Sequence, residues 1–107
     1  MTVRYKNAKA DLTTTNATAV LTPANATTAI IKSILVSEDS GNADTITLTI
    51  TDTASAVFSL FKVKAVGANT TVELLTQPLV LQDSEILKAT AATANRLHLV
   101  VSYLEIS

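Results

Sequence analysis

The stretch TITLTIT at residues 45–51 alternates threonine with large aliphatic residues at every position. Successive side chains of a β-strand point to opposite faces of its sheet, so a period of two is typical of a half-buried strand. We therefore expect Ile46, Leu48 and Ile50 to face a core and the threonines to lie on the other face. Eighteen Thr, ten Val and seven Ile make up 35 of the 107 residues. These β-branched residues favour strands.

Further strands are predicted on both sides of this segment. Residues 30–37 are apolar at both parities, which suits a strand covered on both faces, and a dense turn signal over 37–44 follows. The other predicted strands are Ala17–Thr22, Val57–Lys64, Thr70–Thr76, Ile86–Thr90 and Arg96–Ile106. Strands at this spacing, without a helical period, predict one all-β domain over residues 1–107. We expect an antiparallel β-sandwich, for which jelly-roll connectivity is one option.

The last predicted strand changes its apolar parity. Its first half is apolar at positions 97, 99 and 101, whereas Val100, Leu104 and Ile106 lie at the even positions. Either a bulge near Ser102 shifts the register, or both faces are covered toward the end of the strand. A strand that is apolar on both faces of a small sandwich indicates a subunit contact. Val100, Leu104 and Ile106 are therefore candidate interface residues.

The first ten residues carry a basic cluster and form either an N-terminal arm or an edge strand. Arg4, Lys6 and Lys9 hold three of the eight basic residues, and the first acidic residue is Asp11. An exposed basic segment docks on an acidic partner or along a neighbouring subunit, although a solvated terminus explains the same cluster. Arg4, Lys6 and Lys9 join the candidate interface.

The chain is poor in charge, because 16% of its residues are charged and 48% are hydrophobic, whereas average domains carry about 25% charged residues. The net charge of −1 argues against a general nucleic-acid binder, which needs a basic excess. No apolar run exceeds three residues, so no membrane-spanning helix is expected. The absence of cysteine excludes disulfides, thiolate zinc sites and cysteine nucleophiles.

Few residues point to chemistry. His98 is the single histidine and has no nucleophile or second strong ligand nearby in the sequence, so we interpret it as an outward strand residue or an interface contact. The acidic turn with Glu38, Asp39, Asn42 and Asp44 does not match a calcium-binding loop, and a solvated loop is favoured over a cation site. With two glycines in the chain there is no phosphate-binding loop. We expect no enzymatic activity, catalytic residue, cofactor or metal.

Four segments, taken in order, resemble a known class of protein. They are YKNAKADLTTT from Tyr5, LTPANATTAIIKSILVSEDSGNADTITLTITD from Leu21, ELLTQPLVLQDSEILKATA from Glu73, and ANRLHLVVSYLEIS from Ala94. Together they are similar to the small β-sandwich virion structural proteins of tailed bacteriophages, which decorate capsids or sit on tails. The resemblance spans most of the chain and rests on strand and turn features.

The resemblance implies a non-enzymatic virion component that binds the major capsid protein or other virion proteins. A capsid decoration (cement) protein that forms a homo-oligomer, with a trimer favoured, is the first hypothesis. A tail, collar or fibre-associated structural module is the second. A carbohydrate- or receptor-binding module is the third, since jelly rolls also serve lectins. Neither a nucleic acid nor a membrane is an expected partner.

Overall fold

The computed structural model describes all 107 residues, and every regular element in it is a β-strand. The strands are β1 (Val3–Leu12), β2 (Thr18–Leu21), β3 (Thr28–Glu38), β4 (Asp44–Thr51), β5 (Val57–Val66), β6 (Thr71–Glu73), β7 (Leu79–Leu81), β8 (Ile86–Ala91) and β9 (Leu97–Ile106). The predicted all-β class is confirmed. No helix of the chain is long and apolar enough to cross a membrane.

The strands form two antiparallel sheets. The first sheet has the order β1-β9-β3-β6, with β7 also paired to β3, and the second has the order β2-β8-β4-β5. The early strands pair with the late ones in reverse: β1 with β9, β2 with β8, β3 with both β6 and β7, and β4 with β5. The chain is therefore one long antiparallel ribbon folded over into two sheets, which is jelly-roll connectivity.

The core lies between the two sheets and is built from their alternating inward residues. Ile46 and Leu48 of β4 have no exposed surface, Ile50 is half-buried, and the threonines between them face outward at intermediate exposure. The predicted orientation of this strand is confirmed. Seventeen buried apolar residues form a single cluster that draws on both sheets. At about 25 cal/mol per Å² of apolar surface removed from water, this cluster is the main stabilising element of the sandwich.

Strand β3 is interrupted by a β-bulge at Lys32. Ile31 lies opposite Tyr103 of β9 and Ser33 lies opposite Ser102, so Lys32 has no partner between them. The extra residue switches the inward parity, because Ala29 and Ile31 are buried before the bulge, and Ile34 and Val36 after it. A bulge restarts the alternation in this way. Within the single chain β3 is therefore covered on one face, contrary to the expectation of two, and its two parities are two inward runs joined at Lys32.

Strand β9 alternates without a break. Its inward residues are buried from Leu97 to Tyr103, while Val100, Leu104 and Ile106 are half-buried on the opposite face. The bulge expected near Ser102 sits opposite that residue, on β3, and not in β9 itself. The apolar residues at even positions of β9 therefore point away from the core.

The strand boundaries mostly follow the sequence. Of the two alternatives for the N-terminal segment, the structure has the edge strand, because residues 3–12 pair along their whole length with β9. Thr2 and Ser107 extend this ladder with two backbone hydrogen bonds of 2.8 and 2.9 Å. The three-residue strand β7, which directly follows Pro78, was not expected from the sequence.

Candidate interaction surface

The side of the first sheet that points away from the core carries most of the predicted interface residues. We call it the outer face of the first sheet. Directly opposite residues of antiparallel strands share a face, so the strand register arranges this surface in rows that cross the sheet. The apolar row is Tyr5, Leu104, Ile30 and Val80; the small row is Asn7, Ser102 and Ser33; the mixed row is Lys9, Val100, Leu35 and Glu73.

The apolar row runs across four strands and remains in contact with solvent. Tyr5 is 82% exposed and Val80 is 53% exposed at its two ends, and Leu104 and Ile30 between them are half-buried. Val3, which is 49% exposed, lies opposite Ile106 in the adjoining row. Contiguous apolar surface on a soluble domain marks an interaction site more often than scattered apolar residues do.

The mixed row has opposite charges at its two ends. Lys9 lies on β1 and Glu73 on β6, with Val100 and the 38% exposed Leu35 between them. Lys6 pairs with Glu105, and His98 contacts Asp11 and Asp39, so neither Lys9 nor Glu73 has an oppositely charged partner. Neither charge is neutralised by an ion pair within the chain.

Glu73 also completes the bulge of β3. Its carboxylate accepts hydrogen bonds from the Ile34 N–H at 2.8 Å, from the Leu75 N–H at 3.2 Å and from the Ser33 hydroxyl. Burial acts to raise the pKa of Glu73, but the Ser33 hydroxyl and these backbone donors outweigh it and lower the pKa. The carboxylate is therefore ionised at neutral pH. It fills the gap where β3 changes partner from β7 to β6.

The basic cluster predicted from the sequence is divided between two faces. Lys9 lies on the outer face of the first sheet, whereas Arg4 and Lys6 have the opposite parity on β1. The Lys6 Nζ lies 3.2 Å from a carboxylate oxygen of Glu105. Of the six predicted interface residues, the structure brings Lys9, Val100, Leu104 and Ile106 together and sets Arg4 and Lys6 apart.

His98 lies one row beyond Val100, between two carboxylates. Its Nε2 is 3.2 Å from Asp11 Oδ1 on β1, and its Nδ1 is 3.6 Å from Asp39 Oδ2 in the turn after β3. The side chain is 44% exposed and points outward, as the sequence predicts. The two acids lie on opposite ring nitrogens and do not converge on a common point. No group of three or more His, Cys, Asp or Glu residues is placed to hold a metal ion.

The acidic turn after β3 differs from the solvated loop that its sequence predicts. Glu38 is only 1% exposed, and its carboxylate accepts hydrogen bonds from four backbone N–H groups: Ser40 at 2.9 Å, Gly41 at 3.0 Å, Asn42 at 3.1 Å and Asn69 at 3.2 Å. The Ser40 hydroxyl donates to it as well. Glu38 therefore folds the turn around itself and ties it to the loop between β5 and β6.

The hydrogen bonds at Glu38 hold its carboxylate in the charged form. Burial acts to raise its pKa, but the Ser40 hydroxyl and the backbone donors around it outweigh burial and lower the pKa to about 2. Asp44, at the other end of the turn, is 8% exposed and accepts the Thr93 N–H at 3.1 Å. The prediction of a solvated loop is therefore wrong for Glu38 and Asp44, which have structural roles.

A second, smaller apolar surface lies at the edge of the second sheet. Strand β5 pairs only with β4 and exposes Val57 at 62%, Phe58 at 56% and Val63 at 61%. Val63 has φ +54°, which is a strained value for a β-branched residue, and its N–H donates to the Thr47 hydroxyl at 3.1 Å. The irregular backbone and the flanking lysines 62 and 64 protect this edge from indiscriminate strand addition.

The concave features of the surface are shallow. A depression of about 290 Å³ lies at the small row of the outer face, where Asn7 and Ser102 form part of its lining between Tyr5 and Lys32. A second of about 340 Å³ is lined by Asp44, Val66 and their neighbours at one end of the sandwich. Both are open to solvent, unlike the enclosed clefts in which small molecules bind.

No family model matches the chain, and no curated protein matches it.

Proposed function

We propose that the chain is a non-enzymatic structural protein of a bacteriophage virion, and specifically a capsid decoration protein. The observation that carries the proposal is the apolar outer face of the first sheet, which includes Val100, Leu104 and Ile106. The resemblance of the sequence to small phage structural proteins supports the same proposal. The proposed partners are the major capsid protein or other virion proteins, together with further copies of the chain.

A decoration protein needs two kinds of contact, one with its own copies and one with the shell. The chain exposes apolar residues at two separate places, the outer face of the first sheet and the edge strand β5, where Val57 and Phe58 leave the strand on opposite sides. They belong to different sheets, so one copy has room to make both contacts at once. Because the protein binds only the assembled shell, it stabilises that state by mass action and needs no chemical step.

The copy number per virion tests the proposal most directly. Quantitative mass spectrometry of purified particles gives the ratio of this chain to the major capsid protein. A decoration protein is present in hundreds of copies, whereas about a dozen or fewer would place the chain on the tail or collar and overturn the decoration role. Particles stripped of the protein are expected to melt at a lower temperature and to regain stability when it is added back. Unchanged melting would also contradict the proposal.

A carbohydrate-binding role has less support from the surface. Its two most exposed aromatic residues, Tyr5 and Phe58, lie on different sheets and form no shared stacking platform. Binding of the purified protein to a glycan array, together with its absence from purified virions, would favour that role instead.

A further inference from the structure

The outer face of the first sheet is complementary to itself. Its strands lie in the order β1, β9, β3 and then β7 or β6. A rotation of 180° about an axis that lies along the strands, between β9 and β3, exchanges β1 with the β6/β7 edge and β9 with β3. The rotation leaves the position of every row along the strand direction unchanged. Each row of one copy then faces the same row of the other copy, read in the opposite direction.

We propose that two copies of the chain pack outer face to outer face about this two-fold axis. In the apolar row, Tyr5 of one copy then lies over Val80 of the other, and Leu104 lies over Ile30. In the mixed row, Val100 lies over Leu35. The strands of the two copies run nearly parallel, which is the aligned geometry of packed sheets.

The charges of the mixed row favour this arrangement. The rotation sets Lys9 of one copy opposite Glu73 of the other, and it does so twice because the contact is symmetric. Neither residue has an ion pair within its own chain. One row further along, Asp11 faces Thr71 and His98 faces Ser37. Lys32 lies at the small row, whose paired residues Asn7, Ser102 and Ser33 are uncharged, so no two like charges oppose each other within the rows. Opposed charges of this kind fix the register of an interface.

The area is sufficient for a stable dimer. Strands β1, β9 and β3 have 10 or 11 residues and are about 33 Å long, and side by side they span about 14 Å. The three-residue strands β6 and β7 share the fourth position and add about 10 Å of length each. The face therefore offers about 550 Å² per copy and about 1,100 Å² for a pair, which is above the roughly 1,000 Å² expected of a biological interface. The covered residues are mainly aliphatic and small, which suits a permanent contact between identical chains.

This inference deepens the proposed function by assigning the first apolar surface to self-association. It also specifies a two-fold pair where the sequence favoured a trimer, because a face that matches itself across one axis closes with two copies. The edge strand β5 stays free for the shell. Self-association is measured on the purified chain without particles, so its failure and the failure of the decoration role are separate results.

The first test compares two matched double variants by sedimentation equilibrium. Tyr5→Lys with Val80→Lys places two charges on the outer face, and Val57→Lys with Phe58→Lys places two on β5 at similar exposure. The wild type and the β5 variant are expected to be dimers. The outer-face variant is expected to dissociate at least about tenfold more readily, since it buries unpaired charge. A monomeric or trimeric wild type, or a dimer lost only in the β5 variant, overturns the proposal. Circular dichroism confirms that both variants are folded.

The second test uses introduced cysteines, which the chain otherwise lacks, to determine which residues of the two copies lie close together. Tyr5→Cys and Val80→Cys are prepared separately and mixed, and a bismaleimide with a reach of about 10 Å, the distance between packed sheets, is added. A covalent dimer is expected in the mixture and not in either variant alone, because residues 5 of the two copies lie at opposite edges of the interface. A Tyr5→Cys and Val57→Cys mixture is the control. Equal cross-linking in all samples, or none in the first mixture, contradicts the two-fold arrangement.

Discussion

Deleting Lys32 tests the bulge that sets the register of β3. Without this residue, Ile31 and Ser33 become neighbours in the chain, and they already lie opposite the consecutive residues Tyr103 and Ser102. Ile31 still points inward, Ser33 outward and Ile34 inward, so no buried side chain changes face. The expected loss is limited to the local hydrogen bonds of the bulge, about 1–2 kcal/mol in the free energy of unfolding.

Deleting Leu35, only three positions away, has a different consequence. Ile34 and Val36, both fully buried, become neighbours and cannot both face the core. The least costly new register removes the bulge and puts Ser33 in the place of Ile34. Losing the burial of one isoleucine costs about 1.5–3 kcal/mol, and forcing a hydroxyl into the core adds about 1–3 kcal/mol. The sum of about 2.5–6 kcal/mol is a large part of the 5–15 kcal/mol that typically stabilises a domain, so the variant is expected to unfold at a much lower urea concentration than the wild type.

Urea unfolding followed by far-ultraviolet circular dichroism measures both losses, because the chain contains no tryptophan for fluorescence. Lys32→Ser is the control for the lost side chain and should unfold close to the wild-type midpoint. Equal destabilisation by the two deletions would refute the assignment of Lys32 as the bulged residue. So would a Leu35 deletion that behaves like the wild type.

Three further predictions concern single sites. The pKa of Glu38 falls from 4.5 to about 2 on folding, so the stabilising contribution of this carboxylate is complete above pH 4.5 and is lost as the pH falls toward 2. The Glu38→Gln variant should therefore melt at a lower temperature than the wild type at neutral pH, and its melting temperature should depend less on acid pH. Val63→Gly should raise the free energy of unfolding by about 0.5–1 kcal/mol, because glycine accepts the positive φ, whereas the same change at Thr49, which has no positive φ, should lower it. In the Tyr5→Lys, Val80→Lys background, where the proposed pair is dissociated, Leu99→Ala should cost about 2–5 kcal/mol and Val100→Ala under about 1 kcal/mol in urea unfolding. Similar costs would contradict the assigned faces of β9.

The alternating strand β4 was predictable because its pattern is local. Every second residue of TITLTIT lies on the same face of the strand, and this assignment needs no information from elsewhere in the chain. The faces of strand β3 could not be assigned from its local pattern. Two inward runs of opposite parity, separated by Lys32, produce the same pattern of apolar residues as a strand that is buried on both faces. The polar pair Lys32 and Ser33 between apolar runs was the available signal for a bulge.

The role of Glu38 could not be derived from the sequence. One of its donors is the N–H of Asn69, 31 residues further along the chain. An acid followed by Asp39, Ser40, Gly41 and Asn42 has the composition of an exposed turn. Only the tertiary arrangement, in which the loop after β5 closes over the turn after β3, leaves the carboxylate buried. Strand β7 was not predicted because three residues after a proline are too few to show the period-two alternation of a strand.

The two sheets of this sandwich present different outer faces. The second sheet turns Thr45, Thr47 and Thr49 outward, and a threonine hydroxyl can both donate and accept hydrogen bonds at such a surface. The first sheet turns Leu104 and Ile30 outward at equivalent central positions. If both faces met only water, the same preference for threonine would be expected on each. The outward aliphatic residues at the centre of the first sheet lie beside Lys9 and Glu73, two opposite charges that have no ion-pair partner within the chain. Both features are accounted for by a neighbour that covers the outer face of the first sheet and leaves the threonine face of the second sheet exposed.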